Sequence, residues 1–117
     1  MDNGRHWIAT HRFARITPRK ARALVDLIRG LRCDEAMAQL DFNSRRAAVL
    51  VRNVLKSAMA NANEQEADMP ALYVRSAWVD GGPYYRRWRP KDRGRAHPIA
   101  KATSHITVAV AEKGQGR

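Results

Sequence analysis

A single cysteine, Cys33, stands in 117 residues, so no disulfide can close within the chain, and the usage fits a reducing compartment. No apolar run approaches the roughly 20 residues needed to span a bilayer. The opening MDNGRHW lacks the apolar segment of a signal peptide. The expectation is a cytoplasmic protein with no membrane partner. Acidic side chains are scarce: 11 against 22 lysines and arginines, a formal charge of +11 and a pI near 11.0. Such an imbalance points to a polyanionic partner. Repeats and low-complexity blocks are absent. The length suits one domain, and 44% hydrophobic residues argues against global disorder.

Motifs for catalysis are missing as well. His6, His11, His97, His105 and Cys33 show none of the local spacings of a zinc site, so no metal is expected. Ser104 and His105 are adjacent in a strand-like run, and neighbouring strand side chains point to opposite faces, so they form no nucleophile and base pair. There is no Walker loop and no G-x-G-x-x-G; Gly81-Gly82-Pro83 is a bend signal. The chain is expected not to be an enzyme and to carry no cofactor.

What is present is ordered along the chain. Residues 1–32 carry eight basic and two acidic side chains, 33–70 four and six, and 71–117 ten and three, which leaves two basic segments around a near-neutral middle. Residues 7–16 read as a first strand. Thr17 as N-cap, Pro18 at the first helical position and Gly30 beyond the last turn bound a helix whose core face is Ala21, Leu24, Val25 and Ile28. Asp34 is the expected cap of a short second helix through Ala36, Met37 and Leu40. Asn43 or Ser44 is expected to open a long third one, to about Ala62, with the ladder Ala47, Val51, Val54, Leu55, Ala58, Met59 and Ala62. Residues 63–70 read as a polar connection. Leu72–Val79 and Ser104–Ala111 read as antiparallel partner strands, the latter with Ile106, Val108 and Val110 on one face.

Two basic constellations carry the functional expectation. In T-P-R-K-A-R, exposed backbone N–H groups, the positive helix end and the side chains of Arg19, Lys20 and Arg22 can meet a phosphate cluster. The second lies between the partner strands, where Arg86, Arg87, Arg89, Lys91, Arg93, Arg95 and Lys101 face one acid, Asp92, with Tyr84, Tyr85 and Trp88 interleaved. Guanidinium groups pair with phosphates bidentately and flat rings stack on bases, a mixture suited to structured or single-stranded RNA. From Gly82 to Pro90, at roughly 3.3 Å per residue, the strands could continue for about 30 Å beyond the core before turning near Lys91 to Gly94. An isolated two-stranded ribbon is marginal in water, so this arm is expected to order against its partner.

TPRKARALVDLIRG (17–30), AVLVRNVLKSAMANA (48–62), VDGGP (79–83), R-P-x-x-R-G-R-A (89–96) and TSHITV (103–108) occur in order and at matching intervals. Together they resemble the bacterial family of large-subunit ribosomal protein number twenty-two. The resemblance implies an α+β fold of three helices on a small three-stranded antiparallel sheet with a long β-hairpin arm. It implies a single domain, with a globular part at about 1–80 and 102–113 and the arm at about 81–101. It further implies a structural constituent of the cytoplasmic ribosome, a monomer there, that binds large-subunit ribosomal RNA, meets neighbouring large-subunit proteins and helps assembly by pinning several RNA domains together. The hairpin tip, Tyr85, Arg86, Arg87, Trp88, Arg89, Pro90, Lys91, Asp92, Arg93 and Gly94, would line the exit tunnel beside the nascent peptide. The RNA-binding set would be Arg15, Thr17, Arg19, Lys20, Arg22, Arg86, Arg87, Arg89, Lys91, Arg93, Arg95, Lys101, Ser104 and His105. Tyr84, Tyr85, Trp88, Asp92 and His97-Pro98 depart from the family. The rival of another class is a free-standing RNA-binding or RNA-chaperone module.

Overall fold

A computed structural model describes residues 2–83, 85–90 and 96–113, with residues 2–4, 85–90 and 96–101 described through their backbone alone. The order is β1 (Asp2–Ala14), α1 (Pro18–Ile28), α2 (Cys33–Asp41), α3 (Arg46–Glu64), a 3-10 turn (Met69–Ala71), β2 (Leu72–Gly81), β3 (Tyr85–Pro90), β4 (Ala96–Lys101) and β5 (Ser104–Lys113). β1, β5 and β2 form an antiparallel sheet in that order, and β3 and β4 form the two-stranded arm. The fold is α+β, as expected from the sequence.

Residues of the three helices and of one sheet face make a single core. Ala21, Leu24, Val25 and Ile28 of α1 are all buried, as are Ala47, Val51, Val54, Leu55, Ala58 and Ala62 of α3, while Met37 and Met59 are half-buried at its margin. Ile106, Val108 and Val110 complete the core from the central strand. At roughly 25 cal/mol per Å² of apolar area removed from water, each of the larger side chains contributes about 1.5–3 kcal/mol.

The ends of the elements depart from the sequence reading in instructive ways. β1 begins at Asp2, not near residue 7, because the first residues continue the ladder on β5 as far as the pair Asp2 and Lys113. Asp34 is not the N-cap of α2; Arg32 occupies that position without a side-chain capping bond, its guanidinium donating instead to the Asp34 carboxylate at 2.9 Å, and Asp34 lies inside the first turn. Ser44 does not cap α3 either, since Arg45 does so through its backbone and Asn43 Oδ1 accepts from the Arg45 N–H at 2.9 Å. α3 runs past Ala62 to Glu64 and ends with Glu66 at φ 58, where Ala67 N donates to the Ala62 carbonyl and Glu66 N to the Asn63 carbonyl. These paired bonds satisfy the last carbonyls in the manner glycine usually permits.

α1 is tied to β2 by more than apolar packing. Arg22 donates from Nε and Nη2 to the Val79 carbonyl at 3.3 and 3.0 Å, and Arg29 from Nε and Nη2 to the Ala77 carbonyl at 3.2 and 2.8 Å. Beyond the helix, Gly30 N donates to the Val74 carbonyl at 3.0 Å and Val74 N to the Leu31 carbonyl at 2.8 Å. Gly30 has φ 85, a conformation glycine adopts without strain, and it turns the chain back onto β2. At the other edge of the sheet, Asn61 Nδ2 donates to the Ile8 carbonyl at 3.3 Å.

Candidate nucleic-acid interface

The first basic constellation sits where two helices begin. Thr17 holds extended backbone angles (φ −70, ψ 143), and its Oγ1 accepts from Lys20 N at 3.4 Å, so α1 starts as its sequence indicates. Arg45 starts α3 with φ −71 and ψ 143. Between these starts lies an open cleft of about 660 Å³ lined by Arg15, Ile16, Thr17, Lys20, Arg45, Arg46, Ala47 and Ala102. No carboxylate lines it, and among the described residues none of its four basic side chains is in an ion pair. Each helix start carries about half a positive charge from its unpaired N–H groups. Four cationic side chains and two helix starts line one volume, a setting for phosphate oxygens.

Arg45 and Arg46 were absent from the sequence expectation. Charge periodicity places them on the solvated side of α3; the usable signal was two arginines directly after a turn-forming Asn43-Ser44. Arg15, Thr17 and Lys20 do line the cleft, whereas Arg19 is exposed on the first turn outside it. Arg22 is only in part available, because its guanidinium is bonded to β2.

The arm grows out of the sheet directly. Gly82 N donates to the Thr103 carbonyl at 2.9 Å, and Thr103 Oγ1 donates to the Pro83 carbonyl at 2.5 Å. The β3–β4 ladder then runs from the pair Tyr85 and Lys101 to the pair Pro90 and Ala96, with Trp88 opposite Pro98 and Arg89 opposite His97. The ladder passes through Pro98 without a break. Both strands of a two-stranded ribbon are edges, so a residue without an N–H can sit on the unpaired side. With the arm, the molecule measures 70 × 24 × 20 Å. Arg86, Arg87, Arg89 and Lys101 lie on β3 and β4; Tyr84, Lys91, Asp92, Arg93, Gly94 and Arg95 lie outside the described residues.

Two expected contacts at the arm's root have internal duties. Ser104 is fully buried and its Oγ donates to the Ile16 carbonyl at 2.6 Å, so its hydroxyl is engaged within the protein. His105 keeps partial exposure, and its Nδ1 accepts from Phe13 N at 3.1 Å. Ser104 and His105 do not meet, as their adjacent strand positions require. Among the described residues no group of three or more His, Cys, Asp or Glu could hold a metal ion, and no helix is long and apolar enough to cross a membrane.

A family model described as ribosomal protein L22p/L17e matches residues 9–111 of this chain. A large ribosomal subunit protein uL22 of Pelotomaculum thermopropionicum is 46% identical over 109 residues, which cover 92% of this chain and 96% of that protein.

Proposed function

Because the chain belongs to the ribosomal protein L22p/L17e family, we propose that it is built into the large ribosomal subunit and works there by gripping ribosomal RNA at two places. The cleft between α1 and α3 takes backbone phosphates, with Arg15, Lys20, Arg45 and Arg46 releasing counterions as they bind. The segment between β2 and β5 carries a second set of basic residues, Arg86, Arg87, Arg89, Lys91, Arg93, Arg95 and Lys101. One grip beside the arm's root and a second along the arm can hold RNA segments from different domains at a set distance, which is an assembly function and needs no catalysis. The tip, Tyr85 to Gly94, lies along the wall of the exit tunnel and meets the nascent peptide. The site of action is the cytoplasmic ribosome, and neighbouring large-subunit proteins are its protein partners.

The observation that carries this reading is the cleft: four basic side chains and two helix starts with no acid among them. The test is binding of the full chain to protein-free large-subunit ribosomal RNA across a salt series. Tight binding with a steep inverse salt dependence is expected; affinity no better than for an unrelated folded RNA of equal length would sink the reading. For the tip, a photo-crosslinking residue in place of Arg89 in assembled ribosomes should capture nascent chains. Absence of such crosslinks from every position between Tyr85 and Gly94 would remove the tunnel from the proposal.

A further inference from the structure

All three helices pack on one face of the sheet, and no described helix lies on the other, where Thr107, Ala109 and Ala111 of the central strand are nevertheless buried between their neighbours. Along β5, Ile106, Val108 and Val110 enter the core, so His105, Thr107, Ala109 and Ala111 lie on the opposite side. Register then sets the neighbours: Trp78 of β2 opposite Thr107, Asp80 opposite His105, and Ile8 of β1 opposite Ala109. The Phe13 ring stands edge-on to His105, centroids 4.8 Å apart at 87°. Rings from three adjacent strands, Trp78, His105 and Phe13, therefore form a diagonal row at the arm's end of the open face. On the central strand that face carries only the small side chains Thr107, Ala109 and Ala111, with the exposed Ile8 beside Ala109, so the rings of Trp78 and Phe13 rise beside a lower floor.

These rings are not hidden. Trp78 is 42% exposed and Phe13 45%. Phe13 is also held at φ 59, at an irregularity of the β1–β5 register between His11 and Ala14. A left-handed conformation costs a bulky residue about 1–3 kcal/mol and persists only where surroundings enforce it. Here the Phe13 N–H bond to His105 Nδ1 enforces it, and the Arg12 guanidinium lies 5.6 Å from the ring centroid. The fold thus spends strain to keep an aromatic ring in water with a cation beside it.

We propose that this row is a stacking platform for unpaired RNA bases, with Trp78 and Phe13 taking base faces, Arg12 meeting the phosphate between them and Asp80 able to accept from an exocyclic amino group. The proposal rests on the reading of this chain as a ribosomal-RNA binder and adds a contact of another kind on the sheet face opposite the helices. Charge selects RNA over a protein partner: the chain carries +11, and the cation belongs to the ring row itself. Stacking on adjacent strands of an open sheet is sequence-tolerant, since every base has a flat face.

The test uses the full chain with Trp7→Phe and Trp88→Phe, which leaves Trp78 as the reporter, and a single-stranded oligouridylate at about 0.3 M salt, where charge-driven binding is weak. Titration should quench Trp78 fluorescence. By anisotropy of the labelled oligomer, Trp78→Ala and Phe13→Ala should each weaken binding about tenfold to a hundredfold with an unchanged salt slope, because no charge is removed, and Trp78→Tyr should restore most of the affinity. Absence of quenching, or equal affinity in Trp78→Ala, overturns the platform, as does failure of Trp78→Tyr to rescue while its melting temperature stays normal. Binding of large-subunit ribosomal RNA is measured in parallel. If it persists while the oligomer results are negative, only the platform falls; if the unaltered chain fails to bind that RNA, the functional reading beneath it falls too.

Discussion

Ser104 Oγ donates to the Ile16 carbonyl oxygen at 2.6 Å, joining residues 88 positions apart. The bond fixes the first residue of β5, from which the arm departs, to the segment that leads into α1. The root of the arm and the wall of the basic cleft are therefore one piece of structure, and a shift in either is felt by the other.

Removing that hydroxyl should cost stability directly. Ser104→Ala leaves a buried carbonyl without its donor, and about 1–3 kcal/mol is the expected loss, read as a lowered urea midpoint at constant slope. An unchanged midpoint with weakened RNA affinity would instead mark Ser104 as an RNA contact.

At the cleft the effect should run the other way. Arg45→Ala with Arg46→Ala removes two cations that are in no ion pair among the described residues, so thermal stability should stay within about 0.5 kcal/mol of the parent. Affinity for ribosomal RNA should fall, and the slope of log affinity against log salt should flatten by about 0.7–0.9 for each phosphate that is no longer neutralised. Arg22→Ala makes the contrast: its guanidinium holds the Val79 carbonyl, so the principal loss there is in melting temperature.

Gly82 is needed for space. A Cβ at this position would collide with Thr103 Oγ1 and lie 3.4 Å from the His105 ring. Gly82→Ala should push Thr103 off the Pro83 carbonyl and loosen the arm's root, seen as faster proteolysis within residues 83–101. Thr103→Ala in the same chain removes the obstacle, and the double variant should be less impaired than the sum of the singles.

Cys33 tests the core. It is the first residue of α2, where the helix end alone would favour a thiolate, yet burial, with the Asp34 charge adding to it, pushes the thiol from 9.0 up to about 12. The folded chain should therefore resist a thiol reagent at about pH 8 and react fully once unfolded. The sign for stability follows: the unfolded chain gives up its proton first, so this contribution is intact below pH 9.0 and is lost as pH rises toward about 12. Rapid labelling of the native protein would contradict the buried placement.

Glu66 holds a left-handed conformation at an exposed helix end. Glu66→Gly should raise stability by about 1 kcal/mol, since glycine reaches φ 58 without steric cost and the two capping bonds use backbone atoms alone. A drop in melting temperature would show that the glutamate side chain makes a contact worth more than the strain.

Much of this architecture was legible because its signals are local. Thr17, Pro18 and Gly30 mark α1 within a span short enough to read directly, and the apolar ladders of α1 and α3 match their buried faces. The cleft was half legible: residues 15–20 announced themselves, but Arg45, Arg46 and Ala102 join them only through packing, and nothing in a one-dimensional pattern says that α3 begins beside α1. Phe13 was missed for a related reason. It reads as an ordinary strand aromatic, and its strained backbone arises from a change of register on a strand far away in sequence. Ser104 entered the expected RNA-binding set through the family resemblance alone, and its burial and its bond to Ile16 come from packing that no local pattern shows.

The bonds from Arg22 and Arg29 to the carbonyls of β2, and from Asn61 to that of Ile8, also bear on the time this protein spends outside any particle. A sheet with bare margins can recruit another chain strand by strand, and a copy waiting to be assembled would be exposed to that hazard. Here both margins carry side chains already bonded to outward-facing carbonyls, two of them charged and costly to desolvate. Strand addition at Ala77, Val79 or Ile8 would first have to break these bonds, which disfavours self-association of a copy not yet bound to RNA.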